Sequence, residues 1–387
     1  MIFLEYISYG RQCIEDDDIA AVVETLKSDF LTCGPKIAEF ERDLAAVTGA
    51  RYAVAVANGT AALHIAALAL GLGTGDEVIT SPLTFAASAN CVLYCGATPV
   101  FADICPDTML LDIEDLRKKI TPKTKAIIPV HYGGELCNMD EFTKLAQEFN
   151  LSLIQDCAHS LGGKTCGKAQ GEYDGMQIWS FHPVKTITTA EGGAVTTNNE
   201  ELYKKLLRLR THGITRDKSQ YVGEDAPWHY EMHDLGFNYR LTDIQCALGI
   251  TQLKKLDRFV KRRQEIVNMY NHAFAELPLQ IQQTPAWSTP ARHLYTIRLN
   301  EKQRRREVFD ALLAKNIGVN VHYIPTYLMP HYKNIGYKAG ICPVAEDAFE
   351  RMITLPLHPQ LSDEQVEYVI NCVRNTLFPS PPLSFPM

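Results

Sequence analysis

The most informative stretch of the sequence is Ile178-Trp179-Ser180-Phe181-His182-Pro183-Val184-Lys185-Thr186-Ile187-Thr188-Thr189-Ala190-Glu191-Gly192-Gly193-Ala194-Val195. It has the pattern of a short apolar strand, a polar turn with a single lysine, two glycines and a second strand. A lysine at the mouth of a sheet can act as an amine nucleophile that forms a Schiff base with a carbonyl compound. A solvated loop lysine is the ordinary alternative, so Lys185 alone does not predict this chemistry.

A carboxylate follows another apolar run upstream of this lysine. Residues 151–155 have the composition of a buried parallel strand, and Asp156 stands where that strand leaves the sheet. Burying a carboxylate is costly unless a cation accompanies it. The protonated ring nitrogen of pyridoxal phosphate is such a cation, and a nearby aspartate would make the ring a better electron sink. Together the two residues predict a pyridoxal-phosphate site, whereas Asp156 alone would indicate a helix cap or a turn.

Strand-like and helix-like segments alternate along the first two thirds of the chain, which predicts a doubly wound α/β sheet. The predicted strands are residues 52–57, 77–80, 98–103, 125–130, 151–156, 176–181 and 193–197. Ligands in such folds bind beyond the carboxyl ends of the strands. Asp156 and the turn that carries Lys185 both fall there, so we expect them to lie close together.

The pattern changes after this region. Residues 242–277 predict one long amphipathic helix that leads into a second, smaller domain. In that domain we expect strands at 292–299 and 318–322 and helices at 303–316 and 363–376. The sequence therefore predicts a large α/β domain over residues 1–250 and a small C-terminal α+β domain over residues 251–387.

Composition excludes several classes of protein. The chain has 387 residues and a formal net charge of −7, which argues against a nucleic-acid-binding or anionic membrane surface. No apolar run is long enough for a membrane span. The first residues lack a basic segment followed by an apolar core, and the eleven scattered cysteines suggest reduced thiols. We therefore expect a cytoplasmic protein.

A metal site is the alternative interpretation of the residues around Asp156. His131 and His159 could join Asp156 around a metal ion, but the histidines and cysteines lack the spacing of zinc ligands. We expect no metal.

A candidate phosphate site lies in Ala57-Asn58-Gly59-Thr60-Ala61-Ala62-Leu63, which follows a predicted strand and opens a predicted helix. Gly59 allows close approach of the backbone, Thr60 offers a hydroxyl, and the free N–H groups of a helix start favour an anion. Ser180 could add a second hydroxyl. An ordinary helix cap is the alternative. Phe85 could stack on the pyridine ring, with a core phenylalanine as its alternative.

The sequence resembles the DegT/DnrJ/EryC1/StrS family of nucleotide-sugar aminotransferases over nearly its whole length. The resemblance rests on residues 57–63, 80–87, 156–162, 180–193 and 236–243, the last of which reads Gly236-Phe237-Asn238-Tyr239-Arg240-Leu241-Thr242-Asp243. It implies the fold of the PLP-dependent transferases of fold type I. This aspartate aminotransferase-like fold is an α/β fold with a mostly parallel seven-stranded sheet and a smaller C-terminal α+β domain.

By position, the resemblance implies that Lys185 is the Schiff-base lysine and that Asp156 contacts the pyridine nitrogen of pyridoxal 5'-phosphate. Phe85 matches the aromatic residue that stacks on the ring. His159 stands where most relatives have a glutamine that bonds the phenolic oxygen of the cofactor. An imidazole N–H can make the same hydrogen bond.

The resemblance also implies phosphate contacts and an oligomeric state. Thr60, Ala61 and Ser180 match the residues that bind the phosphate group. Asn238 matches an asparagine that reaches a phosphate across a dimer interface. It therefore implies a homodimer with two shared active sites.

Within the family, the likeness is closest to the aminotransferases of pseudaminic acid biosynthesis, on residues 156–162, 180–193, 227–232 and 321–325. It implies amination of UDP-2-acetamido-2,6-dideoxy-β-L-arabino-hexos-4-ulose at C4, with L-glutamate as donor and 2-oxoglutarate as by-product, by a ping-pong mechanism. Enzymes for 4-amino-4-deoxyarabinose, perosamine or other 4-amino sugars share most of these motifs. A PLP-dependent sugar dehydratase and a non-catalytic relative are further alternatives.

Four residues are candidates for substrate contacts. Thr32 lies in a segment that resembles the family segment near the sugar. Arg240 could anchor a carboxylate of glutamate or a phosphate of UDP by a forked contact, or it could form a structural ion pair. His322 and Tyr323 fall where relatives close over the sugar, with an ordinary loop as the alternative.

Overall fold

The computed structural model describes residues 5–223 and 226–378. Residues 1–4, on which part of the expectation about a secretory signal rests, lie outside these ranges. The α-helices of the described chain are α1 (Asp16–Leu26), α2 (Pro35–Thr48), α3 (Gly59–Ala69), α4 (Ala87–Tyr94), α5 (Ile113–Lys118), α6 (Met139–Phe149), α7 (Glu200–Arg210), α8 (Asp243–Leu253), α9 (Leu256–Phe274), α10 (Arg305–Leu313), α11 (Pro330–Asn334), α12 (Pro343–Arg351) and α13 (Asp363–Leu377).

The strands of the same ranges are β1 (Tyr52–Val56), β2 (Glu77–Thr80), β3 (Thr98–Phe101), β4 (Thr124–Ile128), β5 (Ser152–Asp156), β6 (Lys164–Thr165), β7 (Lys168–Ala169), β8 (Met176–Ser180), β9 (Gly193–Thr197), β10 (Ile214–Thr215), β11 (Glu231–Met232), β12 (Leu279–Ile281), β13 (Ser288–Thr289), β14 (Tyr295–Leu299) and β15 (Met352–Leu355).

Seven strands form the central sheet in the order β1-β9-β8-β5-β4-β2-β3. β9 pairs antiparallel with both of its neighbours, and every other pairing in the sheet is parallel. These are the seven strands that the apolar runs predict, and the mostly parallel seven-stranded sheet is confirmed.

Helices cover both faces of the sheet because its central strands are apolar on both sides. On one face, α3, α4 and α7 pack against side chains such as those of Val54 and Ile154. On the other face, α6 packs against Leu153, while α2 and α8 pack around Trp179. The resulting layers leave the carboxyl ends of β5 and β8 open for a site.

The C-terminal part is built on a three-stranded antiparallel sheet in the order β12-β14-β15. Its core is formed with α9, α10 and α13, and Ile7 from the start of the chain joins this core. This arrangement agrees with the expected α+β character. Residue 250 lies inside α8, and the division of the chain into two domains at that residue remains a prediction.

The expected single helix over residues 242–277 is wrong, because the chain forms two helices, α8 and α9. The break falls at Lys254-Lys255, where the Lys255 ammonium lies 2.6 Å from a carboxylate oxygen of Asp17 and 2.7 Å from one of Asp18. α8 packs against α1 and α2, whereas α9 packs in the C-terminal core. The apolar pattern continues through the break and therefore does not reveal it.

The expected strand at residues 318–322 is also wrong. Asn320 alone forms a bridge, with Thr354 of β15. The carbonyl of His322 accepts a hydrogen bond from the hydroxyl of Tyr132. In a strand, this carbonyl would accept from a neighbouring strand instead. These residues instead lead into the site.

Candidate active site

A cavity of about 730 Å³ lies at the carboxyl ends of the central strands. Asp156 at the end of β5, Ser180 at the end of β8 and Lys185 beyond it all line this cavity. The start of α3 forms another part of its wall through Gly59 and Thr60. The sheet thus brings together residues that are far apart in the sequence.

Lys185 is held in a tight turn after β8. Its backbone N–H donates to the carbonyl of His182 at 2.9 Å, and the N–H of Thr189 closes the loop on the carbonyl of Phe181 at 3.0 Å. Burial lowers the pKa of the Lys185 amine to about 8, although the nearby Asp156 carboxylate raises it. A neutral amine, which can take a proton, is therefore available near neutral pH.

We expect the amine of Lys185 in the cofactor-free protein to react with an amine reagent at lower pH than surface lysines do. Its ammonium loses a proton through a pKa of about 8, so half-maximal reactivity should fall near that pH. Lys204 is the control, because its ion pair with Glu200 raises the pKa of its amine. Mass spectrometry of the modified peptides measures both midpoints. Equal midpoints for the two lysines would contradict the lowered pKa.

Asp156 is a buried carboxylate that accepts two hydrogen bonds. The hydroxyl of Ser88 donates to Oδ2 at 2.6 Å, and the N–H of Ala158 donates to Oδ1 at 3.1 Å. Burial raises the pKa of this carboxyl, while the hydrogen bonds from Ser88 and Ala158 and the charge of Lys185 oppose that rise. Its side chain is 6% exposed and lines the cavity. A cation bound in the cavity, such as a protonated pyridine ring, would offset the cost of burying this charge.

His159 is buried and holds one tautomer. The N–H of Gly133 donates to Nδ1 at 3.3 Å, so the proton of the neutral ring is on Nε2, which lies 3.2 Å from the Tyr323 hydroxyl. Burial, followed by the charges of Lys185 and His322, lowers the pKa of His159 well below its usual range. The ring therefore presents an N–H donor, as the expected bond to a phenolic oxygen requires.

The start of α3 has the form of an anion site. The side chain of Asn58 caps the helix by accepting the N–H of Ala61 at 2.8 Å. Within the described chain no hydrogen bond takes the N–H groups of Gly59 and Thr60, so these are the free donors. A Cβ at Gly59 would lie 3.0 Å from the Cβ of Ser180, which places the Ser180 side chain directly beside the helix start. The N–H of Ala61 would therefore have to be shared between Asn58 and the phosphate group that Ala61 is expected to bind.

Replacing Ser180 with alanine should weaken binding of pyridoxal phosphate by about 10- to 100-fold, since a hydrogen bond to a charged group contributes about 1.5–3 kcal/mol. Titration of the cofactor-free protein with cofactor, followed by its visible absorbance, gives the dissociation constant. Ser28→Ala, at an exposed position outside the cavity, is the control and should leave binding unchanged. Wild-type affinity in Ser180→Ala would remove Ser180 from the phosphate site.

Phe85 is exposed to the cavity and does not belong to the core. Its side chain is 60% exposed, and its ring centroid lies 6.2 Å from that of Tyr323. This position leaves a ring face free for stacking. Tyr323 and the buried His322 also line the cavity, and His322 is fixed by a 3.0 Å contact between Nδ1 and the Thr354 hydroxyl.

Three of the expected site residues do not line the cavity of their own chain: Thr32, Asn238 and Arg240. Thr32 and Asn238 are exposed, and Thr32 forms a backbone bridge with Thr242. Arg240 pairs through its backbone with Val56, and its side chain forms no ion pair with any residue of the described ranges. The structural ion pair considered for Arg240 is therefore not found there.

Two functional positions were not identified from the sequence. Ser88 supports Asp156, and it lies just after the 80–87 segment that carries part of the family resemblance. His293 lines the cavity with its ring 4.7 Å from that of His159, while its buried Nδ1 lacks a hydrogen-bond partner. No local motif marks His293, because only the folded C-terminal part brings it to the site.

The alternative metal site has no support in the geometry. His131 is buried and uses both ring nitrogens within the protein, with Gln155 at 3.3 Å and the N–H of Cys137 at 3.1 Å. Among residues 5–223 and 226–378, no group of three or more His, Cys, Asp or Glu side chains could hold a metal ion. In the same ranges, no helix combines the length and apolar character needed to cross a bilayer.

The cavity fits pyridoxal phosphate on four separate observations. It offers an amine of lowered pKa at Lys185, a buried carboxylate at Asp156, an N–H donor at His159 and free helix-start donors beside Ser180. These groups match, respectively, the aldehyde, ring nitrogen, phenolic oxygen and phosphate of the cofactor.

Comparison with known proteins agrees with this chemistry. SpsC, a spore coat polysaccharide biosynthesis protein of Bacillus subtilis, is 41% identical over 378 residues, which are 96% of this chain and 97% of SpsC. The UDP-4-amino-4,6-dideoxy-N-acetyl-beta-L-altrosamine transaminase of Campylobacter jejuni is 38% identical over 383 residues, 96% of each chain.

Solved structures have the same fold. Spr1654 from Streptococcus pneumoniae, in its PLP form, superimposes with a TM-score of 0.89 at 34% identity, over 96% of this chain and 98% of Spr1654. Helicobacter pylori PseC, an aminotransferase of pseudaminic acid biosynthesis, gives a TM-score of 0.89 at 32% identity, over 96% of this chain and 99% of PseC.

The family model that describes the DegT/DnrJ/EryC1/StrS aminotransferases matches residues 12–374, which is most of the chain. Its extent agrees with the full-length similarity to the relatives above. The cofactor fit and the PLP form of Spr1654 indicate the same cofactor. The chain therefore belongs to the DegT/DnrJ/EryC1/StrS aminotransferase family and is a pyridoxal-phosphate-dependent sugar aminotransferase.

Proposed function

We propose that the chain transfers the amino group of L-glutamate to C4 of UDP-2-acetamido-2,6-dideoxy-β-L-arabino-hexos-4-ulose by a ping-pong mechanism. The observation that carries the proposal is that Lys185, Asp156 and His159 line one cavity. Ser88 holds the Asp156 carboxylate there, and the Tyr323 hydroxyl contacts His159. The names of the Campylobacter jejuni and Helicobacter pylori relatives support this sugar.

Pyridoxal phosphate, when bound, supplies an electron sink conjugated to the carbon that gains or loses a proton. Lys185 Nζ takes the Cα proton of glutamate, for which its pKa of about 8 suits a base near neutral pH. In the second half of the cycle the same Nζ returns a proton to C4 of the sugar. One water would be consumed to release 2-oxoglutarate while the amino group stays with the cofactor, and one water would be released when C4 of the keto-sugar takes up that amino group.

The neighbours of Lys185 orient the reacting parts. Asp156 keeps a negative charge at the ring-nitrogen position because Ser88 and Ala158 hold its carboxylate. His159 would donate to the bound cofactor from Nε2, and Phe85 would cover a ring face from the open side of the cavity. Each contact acts on a fixed atom and limits the geometry in which Lys185 can move the proton.

A homodimer with shared sites is part of the proposal. Asn238 and Thr32 are exposed and lie outside the cavity of their own chain, as does Arg240. Trp228, in the 227–232 segment that carries part of the likeness to the pseudaminic acid enzymes, is 79% exposed and also lies outside it. These positions are consistent with contacts to a site in a second copy, with Asn238 at the phosphate. We also propose that the dimer works in the cytoplasm, since the cysteines of the described chain are all free thiols.

A panel of UDP- and dTDP-linked 4-keto sugars, each incubated with the enzyme and L-glutamate, tests the substrate assignment. Mass spectrometry and NMR of the products identify the aminated carbon and its configuration. The proposal expects the UDP-linked arabino-hexos-4-ulose to have the highest kcat/KM and to yield an amine at C4. A higher kcat/KM with another sugar would overturn the assignment and leave the reaction class in place.

A second candidate is amination of a different 4-keto sugar. SpsC is as similar to this chain as the altrosamine transaminase is, with 41% against 38% identity, and its name points to a spore coat polysaccharide. The same panel therefore includes the 4-keto sugars whose amination gives 4-amino-4-deoxyarabinose, perosamine and related amino sugars.

A further inference from the structure

Arg263 is a buried cation outside the residues considered so far. It lies in α9, is 1% exposed, and no Asp or Glu side chain of the described chain forms an ion pair with it. Its Nε has no hydrogen-bond partner either. Removing a guanidinium from water without a counter-ion is costly, so its retention needs a local reason.

The contacts of Arg263 lead directly to the catalytic loop. Nη2 donates to the carbonyl of Lys185 at 3.1 Å, and Nη1 donates to the carbonyl of Thr186 at 3.5 Å. The N–H of Lys185 is already bound to the carbonyl of His182. The peptide groups on both sides of Lys185 are therefore held, one by the turn and the other by Arg263.

We propose that Arg263 is a positioning residue for Lys185, and that its guanidinium fixes the backbone carbonyls of the lysine and of the residue after it. The planar guanidinium reaches two consecutive carbonyls, and a lysine ammonium could not reproduce this fork. A misplacement of about 1 Å at a reacting group can cost about 10²-fold in rate, so a clamp on this loop is of direct value. The inference rests on the proposed role of Lys185.

The charged and titratable groups that face Lys185 show what sets the pKa of its amine. Asp156 is the carboxylate that raises the pKa of the Lys185 amine. His159, His293 and His322 face the same amine, and burial lowers the pKa of each, so they are neutral near neutral pH. Arg263 contacts the backbone of this loop, so its loss should change the position of the amine while burial and Asp156 still set its pKa.

The test compares Arg263→Met, Arg263→Lys and the control Arg262→Met. Arg262 is the preceding residue of α9, where it pairs with Asp363 at 2.7 Å and has no contact with the loop. Three quantities are measured: the pH midpoint of Lys185 modification in the cofactor-free protein, kcat and KM for the glutamate half-reaction, and the melting temperature. The first quantity does not depend on any sugar, so a wrong sugar assignment leaves it unaffected.

We expect Arg263→Met to lower kcat by about 10²-fold with little change in KM and to leave the Lys185 midpoint near that of the wild type, because burial and Asp156 set that pKa. Arg263→Lys should also keep the midpoint near that of the wild type while kcat stays reduced, because an ammonium cannot bond both carbonyls as the guanidinium does. Arg262→Met should match the wild type in both. If Arg263→Met fails to fold, the decision rests on kcat of Arg263→Lys. A wild-type kcat in Arg263→Lys or in a folded Arg263→Met would overturn the proposal.

Discussion

Replacing Lys185 with alanine is expected to lower the rate of amino transfer by at least about 10³-fold, because acid–base catalysis by a positioned group contributes about 10²–10⁴-fold. Lys185 is the only lysine among the described residues that line the cavity. Burial lowers the pKa of its amine to about 8, so at neutral pH no other described side chain there offers an equally strong neutral base. Water would have to carry the proton instead.

The measurement is the single-turnover conversion of glutamate to 2-oxoglutarate by enzyme loaded with cofactor. Lys204→Ala is the control, because Lys204 is a partly exposed, ion-paired lysine outside the cavity, and it should keep the wild-type rate. Lys185→His is a second variant, which offers a different base at the same position. Retained transamination in Lys185→Ala or Lys185→His would disprove the assigned role.

Replacing Asp156 with asparagine should lower kcat by about 10³-fold. The substitution keeps the shape of the side chain but removes the charge opposite the ring nitrogen. At about 4 Å and an effective dielectric constant of about 20, that interaction amounts to about 4 kcal/mol, and about 1.4 kcal/mol corresponds to a tenfold change. Without the charge the ring nitrogen loses its proton, and the ring withdraws electrons less well.

Steady-state kinetics of Asp156→Asn and Ser88→Ala measure this effect in two steps. Ser88→Ala removes one donor to the carboxylate, at 2.6 Å, and leaves the charge in place, so it should cost about tenfold. The ultraviolet–visible spectrum of the bound cofactor reports the protonation of the ring directly. A spectrum and kcat of Asp156→Asn equal to those of the wild type would show that the carboxylate does not act on the ring.

The central sheet and the positions of Asp156 and Lys185 at its edge could be predicted because they depend on local sequence patterns. Continuous apolar runs mark strands that are covered on both faces, and their ends place Asp156 and Lys185 at one edge of the sheet. The start of α3 was also predictable, since a Gly-Thr pair follows a strand. The free donors there belong to Gly59 and Thr60, whereas Asn58 takes the N–H of Ala61.

The remainder depends on contacts between distant parts of the chain. Lys255 is held at the α8–α9 break by acids of α1, more than two hundred residues away in sequence, so periodicity does not show it. The bond between His159 and Tyr323, and the place of His293 beside them, arise only when the C-terminal part meets the sheet. The roles of Asn238, Arg240 and Thr32 do not follow from the cavity of one chain and stay predictions.

One measurement tests the central claim most directly. The enzyme loaded with cofactor is incubated with L-glutamate labelled in its amino nitrogen, and gel filtration then removes all free glutamate. The protein is next mixed with UDP-2-acetamido-2,6-dideoxy-β-L-arabino-hexos-4-ulose, and the sugar is analysed by mass spectrometry and NMR. The account predicts one labelled nitrogen per active site, bound at C4 of the sugar, and none with the Lys185→Ala enzyme. Unlabelled sugar from the wild-type enzyme after glutamate removal would contradict it.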